Sequence, residues 1–417
     1  MRPLPSLACL AALTTLSCAH GSNPAGAPGS TDLAARARAL AQRLIIADGH
    51  VDVPYRLQET LGPDGEPTED ISQRTQGGDF DYPRAVEGGL DVPFMSIYIP
   101  ADLQQTPGAS KKLADTLIDR VEQIARKSPE KFAMAHSVEE AQRNTKEGKI
   151  SFALGIENGS ALEDSLANVE HFQRRGVRYI TLTHSKDNLL SDASFNTGKR
   201  TWNGLSPFGR EVVAEMNRVG IMVDVAHLSD DAIRQAVELS QVPVIASHSS
   251  CRHFTPGFER NISDALIRAV AAKGGVVMIN FGSSFLTAEA NASLEKFHKA
   301  IQAFMESRGI KSFGAPEVAA FIKSYQAEHP VTLARVEDVA DHIEHVVKLV
   351  GIEHVGLGSD FDGVGPTLPT GLKDVSQYPN LFRVLLERGH SEADIEKIAS
   401  GNVFRVWKQA AAHASSK

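Results

Sequence analysis

Residues 220–248 read GIMVDVAHLSDDAIRQAVELSQVPVIASH. An apolar run ends at His227, a helix-forming stretch follows over 230–239, and a second apolar run ends at His248. Ser229 stands where a helix cap is needed, and Gly220 where the preceding helix must turn into a strand. IMVDVA and VPVIA are continuous rather than alternating, as strands covered on both faces require. Strand, helix and strand in that order make a βα unit of a parallel sheet.

Outward from this stretch the unit recurs. Further apolar runs lie at 44–52 (LIIADGHVD), 90–100, 149–157 (KISFALGIE), 177–184 (VRYITLTH), 275–281 (GVVMINF) and 354–360 (HVGLGSD). Helical periodicities lie at 111–127, 138–147, 160–175, 207–219, 264–273 and 336–350, with a lead-in helix at 33–44. Ser263 caps one start, and Gly176, Gly274 and Gly351 follow helix ends. Eight such units predict an α/β fold, a (β/α)8 TIM barrel. The spacing breaks after Phe281, where about seventy residues read as helical (291–308 and 315–328). They predict a helical insertion between strands 7 and 8, on the active-site side, as a rim cover or a subunit contact. Residues 58–84, rich in Gly, Pro, Asp and Thr, predict a long loop after the first strand.

The chain has 417 residues, 42% of them hydrophobic, enough for one barrel with insertions. A net charge of −8 and no basic stripe with interleaved aromatics argue against a nucleic-acid partner. Residues 1–18 (MRPLPSLACLAALTTLSC) have the pattern of a secretory signal, with an apolar part too short to span a bilayer. Thr15-Leu16-Ser17-Cys18 resembles a bacterial lipoprotein box, although Leu is usual where Thr15 stands; the alternative is cleavage after Ser17 or a nearby Ala. Residues 19–32 predict a disordered tether and 33–417 the catalytic barrel. The expected location is exported, either periplasmic or membrane-anchored through lipidated Cys18. Residues 409–417 carry no apolar tail, so no C-terminal glycolipid anchor is expected. With Cys9 and Cys18 in the leader, Cys251 is the one cysteine of the mature domain. It reads as a partly buried free thiol near the rim rather than a ligand beside His248.

Six of the eight runs deliver polar groups to the rim: His50 with Asp52, Glu157, His184, His227, His248 and Asp360. C-terminal strand ends converge in such a barrel, and imidazoles with carboxylates there are the ingredients of a divalent metal centre. His50 and Asp52, two apart at a strand end, point the same way. His227 and His248 end neighbouring strands about 4.8 Å apart, which suits one shared ion. Glu157, desolvated after its apolar run, needs compensation from a metal pair or from a neighbouring arginine. Asp360 lies at a strand end between glycines, while Asp362 reads as capping the turn. His184, opposite the metal strands, can donate to a substrate oxygen. Arg260 offers a planar fork to a carboxylate, or pairs with Asp264 or Glu259.

DGHVDVP (48–54), GIENG (155–159), LTHSKDN (182–188), VDVAHLS (223–229), PVIASHS (243–249), GLGSDFDG (356–363) and GNVFRV (401–406) resemble, in this order over residues 40–410, the membrane (renal) dipeptidases, peptidase family M19. The resemblance implies a zinc dipeptidase on an amidohydrolase-like barrel, with two Zn2+ per subunit. It implies that His50 and Asp52 bind one ion, Glu157 bridges, and His227 and His248 bind the second. His184 and Arg260 would then contact substrate, Asp360 would handle protons, and the partner would be a small dipeptide, L-L or L-D, with a homodimer as a further expectation. One departure is Phe285, where relatives commonly carry a Tyr; another is the lack of the cysteines that animal relatives pair. The other functions weighed are a lactonase or N-acyl-amino-acid hydrolase on the same site, and a non-catalytic surface lipoprotein.

Overall fold

In the computed structural model, residues 30–196, 198–310 and 315–415 are described. The leader and most of the tether fall outside them. The first helix, Ser30–Arg43, takes in the last residues assigned to the tether.

The eight runs form strands β1 (Ile46–Val51), β2 (Leu90–Tyr98), β4 (Ile150–Glu157), β5 (Val177–Thr181), β6 (Met222–Asp224), β7 (Ile245–Ala246), β8 (Val276–Ile279) and β9 (Val355–Leu357). All pair in parallel in the order β2-β1-β9-β8-β7-β6-β5-β4, and β4 returns to β2, so the sheet closes. This is the (β/α)8 barrel of the amidohydrolase-like fold. A short strand not foreseen, β3 (Phe132–Met134), pairs in parallel with the first three residues of β4.

Several elements differ from their sequence reading. The helix expected over 160–175 is a single turn at Gly159–Leu162 followed by a helix at Ala167–Arg174, because Glu163 adopts φ 52° and breaks the ladder. The loop expected over 58–84 is shorter, bounded by helices Val53–Glu59 and Tyr82–Gly88. Beyond β9, helices Tyr378–Glu387, Glu392–Glu396 and Asn402–Ser415 complete the outer ring. The insertion is helical as expected, with Ala288–Arg308 and Pro316–Glu328 sharing a small apolar patch around Leu294, Phe297, Ile301 and Val318. Among the described residues, no helix is long and apolar enough to cross a membrane.

Apolar side chains of Val92, Phe94, Met222, Ile245 and Met278 fill the barrel, and Trp407 of the last helix closes its lower end 5.3 Å from Phe94. One polar ring crosses this interior. Tyr179 lies over Gly155, where a Cβ would fall 2.0 Å from its ring, so its hydroxyl can reach the base of His50.

Candidate metal centre

Glu157 ends β4 and is 3% exposed. Its Oε2 lies 3.3 Å from His50 Nε2, while its Oε1 lies 2.9 Å from His227 Nε2 and 3.2 Å from His248 Nε2. Among the described residues its close partners are histidines rather than an arginine. Burial alone would raise its pKa, but these histidines together with His184 hold the carboxyl well below the usual range. One carboxylate thus divides its two oxygens between two groups of ligand-type atoms.

The tautomers of two histidines follow from their neighbours. The Tyr179 hydroxyl donates to Gly49 O at 2.9 Å, so towards His50 Nδ1, 2.8 Å away, it can only accept. Nδ1 therefore carries the hydrogen, so that in the neutral ring Nε2 presents a lone pair, buried and without a hydrogen-bond partner, 3.4 Å from Asp52 Oδ2. Burial disfavours charge on His50, yet the field of Tyr179, Glu157 and Asp52 outweighs it and holds its pKa high. A positive charge belongs at that nitrogen. His248 is set in the same way. Ser247 Oγ donates to Asp224 Oδ2 at 2.6 Å and accepts from His248 Nδ1 at 2.7 Å, leaving Nε2 with its lone pair.

His227 Nε2 faces His248 Nε2 at 2.9 Å. Both imidazoles are held well below their ordinary pKa, first by burial and then by nearby cationic groups including Arg260. Neutral imidazoles turned towards one carboxylate oxygen are a ligand set for a soft-to-borderline divalent ion. The orphaned Nε2 of His50, Oδ1 of Asp52 and the shared Glu157 fit two such ions. His227 sits at φ 66°, a left-handed backbone that its place at the rim imposes.

His184 does not lie opposite the metal strands. β5 runs between β4 and β6, so the ring sits 4.3 Å from that of His227, with Nε2 3.9 Å from Glu157 Oε1. Asp360, also left-handed at φ 63°, is buried beside His50 and His248, and burial pushes its carboxyl up to about 7. Its Oδ2 accepts from Asn280 Nδ2 at 2.7 Å. Asp362 does not cap its own turn. Its Oδ1 accepts from Asp79 N at 2.6 Å and its own N–H donates to Asp79 Oδ2 at 2.8 Å, tying the loop before Tyr82 to the rim.

Arg260 pairs with neither Asp264 nor Glu259; these bind His345 and Arg200 instead. The guanidinium is buried, donates to Ser249 Oγ and His248 O at 2.9 Å each, and keeps its Nε–H without a partner. Burial lowers its pKa to about 10, and it stays charged. Phe285 lies against one face of it at 5.4 Å. Cys251 is buried away from the centre, its sulfur towards His342 O, as the free thiol expected.

These groups line a cavity of about 1330 Å³. Asp52, Glu157, His184, His227, His248, Arg260 and Asp360 contribute polar groups to it, and Tyr55, Tyr98, Phe195, Phe258 and Phe285 contribute rings. The insertion adds Asn291, Leu294, Glu295 and His298, so it does lie on this side. Sequence reading missed Tyr179, Asp224, Ser247 and Asn280. The one available signal was a polar residue inside an otherwise apolar run.

The sequence signature described as membrane dipeptidase (peptidase family M19) matches residues 34–417. The chain is 33% identical over 372 residues to "Dipeptidase tcpJ" of Claviceps purpurea, covering 87% of this chain and 76% of that one. It is 34% identical over 378 residues to "Uncharacterized dipeptidase C965.12" of Schizosaccharomyces pombe, covering 87% and 80%. Among solved structures, the probable dipeptidase PvdM from Pseudomonas aeruginosa superposes with a TM-score of 0.78 at 27% identity, covering 92% and 100%.

Proposed function

The chain belongs to the membrane dipeptidase family, peptidase family M19, and from that premise we propose that it cleaves dipeptides with a free C-terminal carboxylate, L-L and L-D, using two zinc ions. The division of the Glu157 oxygens between His50 on one side and His227 with His248 on the other carries this reading. His50 and Asp52 would hold one ion and His227 and His248 the other, with Glu157 offering one oxygen to each. Ions bound there would supply a water activated near neutral pH and a Lewis acid for the scissile carbonyl.

The remaining steps belong to the protein's own side chains. Asp360, steadied by Asn280, takes the proton of the attacking water and delivers it to the leaving amine. His184, kept neutral by burial, donates to the oxygen that gains charge. Arg260 binds the C-terminal carboxylate with the donors left free by Ser249 and His248. A wall of rings joins the two ends of the site: Phe195 lies 6.0 Å from His227, Phe258 6.2 Å from Phe195, and Phe285 5.7 Å from Phe258. An apolar C-terminal side chain fits against it.

The test compares dipeptides with their C-terminal amides. Wild type is expected to prefer the free acids strongly, and Arg260→Ala to lose about a hundredfold in kcat/KM on them while treating the amides as wild type does. Unchanged turnover of the acids by Arg260→Ala would remove Arg260 from the carboxylate site. Export with lipidation at Cys18 belongs to the same reading, and fatty-acid labelling that survives Cys18→Ala would refute it.

A further inference from the structure

We propose that His253, Asp264 and His345 form a second, peripheral site for a divalent transition-metal ion. The three come from three elements beside the loop that carries Arg260. His253 lies in the turn Arg252–Phe254, Asp264 opens the helix Asp264–Ala272, and His345 sits on the helix Val336–Val350. One ligand-type atom from each lies within 4.8 Å of the others. His345 Nε2 is 2.8 Å from Asp264 Oδ1, and the two imidazoles stack at 4.3 Å with planes 20° apart. An ion bonded at about 2.0–2.2 Å needs donors roughly 3–4 Å apart, so the close pair opens slightly and exposed His253 rotates inward.

The scaffold beneath these side chains is fixed. One turn before His345, His342 accepts from Cys251 N and donates to Leu286 O, both at 2.9 Å. Phe254 packs between, its ring 4.4 Å from that of His342 and 5.6 Å from that of His345. Two imidazoles with one carboxylate favour zinc, nickel or copper over magnesium or calcium. Half-exposed as it is, the site leaves positions for water, and an ion in it clamps the loop that carries Arg260 to the helix bearing His345.

Copper(II), added to full-length protein already holding its catalytic zinc, is the probe. Wild type is expected to take up one more equivalent than the His253→Ala/His345→Ala double variant, with nitrogen coupling in its electron paramagnetic resonance spectrum. Asp264→Asn and His253→Gln, which preserve shape, are expected to weaken that uptake about tenfold or more. Dipeptide turnover before copper addition should be the same in all four proteins, since none of the three residues lines the cavity. Equal copper uptake by wild type and the folded variants, or an extra equivalent without coupled nitrogen, would overturn the proposal.

Discussion

The candidate ligands His50 and His248 are oriented by one device at the ends of two different strands. In each case a hydroxyl whose own hydrogen is committed elsewhere accepts from Nδ1, and the lone pair of Nε2 is left facing the cavity. Tyr179→Phe removes this device from His50 but keeps the ring packed 5.6 Å from Phe94. Metal affinity, measured by chelator competition, should fall about 10- to 100-fold while the fold persists; unchanged affinity would show that His50 is oriented by packing alone. The candidate ligands were legible in the sequence because each closes an apolar run. Tyr179 was not, because it reaches His50 across the barrel interior, and Ser247 was not, because its role beside His248 depends on its hydrogen being committed to Asp224 on the neighbouring strand; such partners have no fixed spacing along the chain. Arg260 was half legible: its fork suggested a carboxylate, but only the diversion of Glu259 to Arg200 and Asp264 to His345 leaves it without an acidic partner.

Strands this short place the centre through close backbone approach rather than through long ladders. β7 has two residues and β6 and β9 three each, so His227, His248 and Asp360 stand in the turns beyond them. Strand existence was readable from the runs, but strand ends were not, since an apolar run continues into buried rim turns. Gly358 shows how tight the rim is: a Cβ there would lie 2.0 Å from Ser247 O and 3.1 Å from His248 Cα. Gly358→Ala should cost about 1–3 kcal/mol of stability and weaken metal binding through His248, both measurable by denaturation with and without zinc. At the opposite rim, Asp91 of β2 accepts Ile46 N–H at 2.9 Å, and burial pushes its carboxyl from 3.8 up to about 7. The folded chain therefore keeps a proton that the unfolded chain releases between about pH 4 and pH 7, and this group's contribution declines as pH rises through that window. Asp91→Asn should match wild type near pH 4 and exceed it by about 2–4 kcal/mol at pH 8 in urea melts. A gain that is the same at both pH values would show that Asp91 is not protonated in the fold.

For the whole molecule, one closed barrel separates stability from chemistry. Its lower end is sealed by Trp407 and Phe404, and its upper end carries ionisable groups around one large cavity. The helical insertion packs its own small core and lends one helix to the cavity wall. The eight runs and their order made this architecture readable in advance. The three helices after β9 were not anticipated, because they follow the eighth apolar run and deliver no polar group to the rim. On the proposed function, the centre around Glu157 performs the dipeptide hydrolysis. The direct measurement strips the protein of metal, restores zinc stepwise, and follows zinc content and dipeptide turnover together in wild type and Glu157→Gln. Activity should vanish on stripping, return in wild type as two equivalents bind, and stay absent in Glu157→Gln, which should fail to hold the pair. Turnover that survives stripping, or a wild-type protein that holds two equivalents and cleaves no dipeptide, would show that this centre does not perform the hydrolysis.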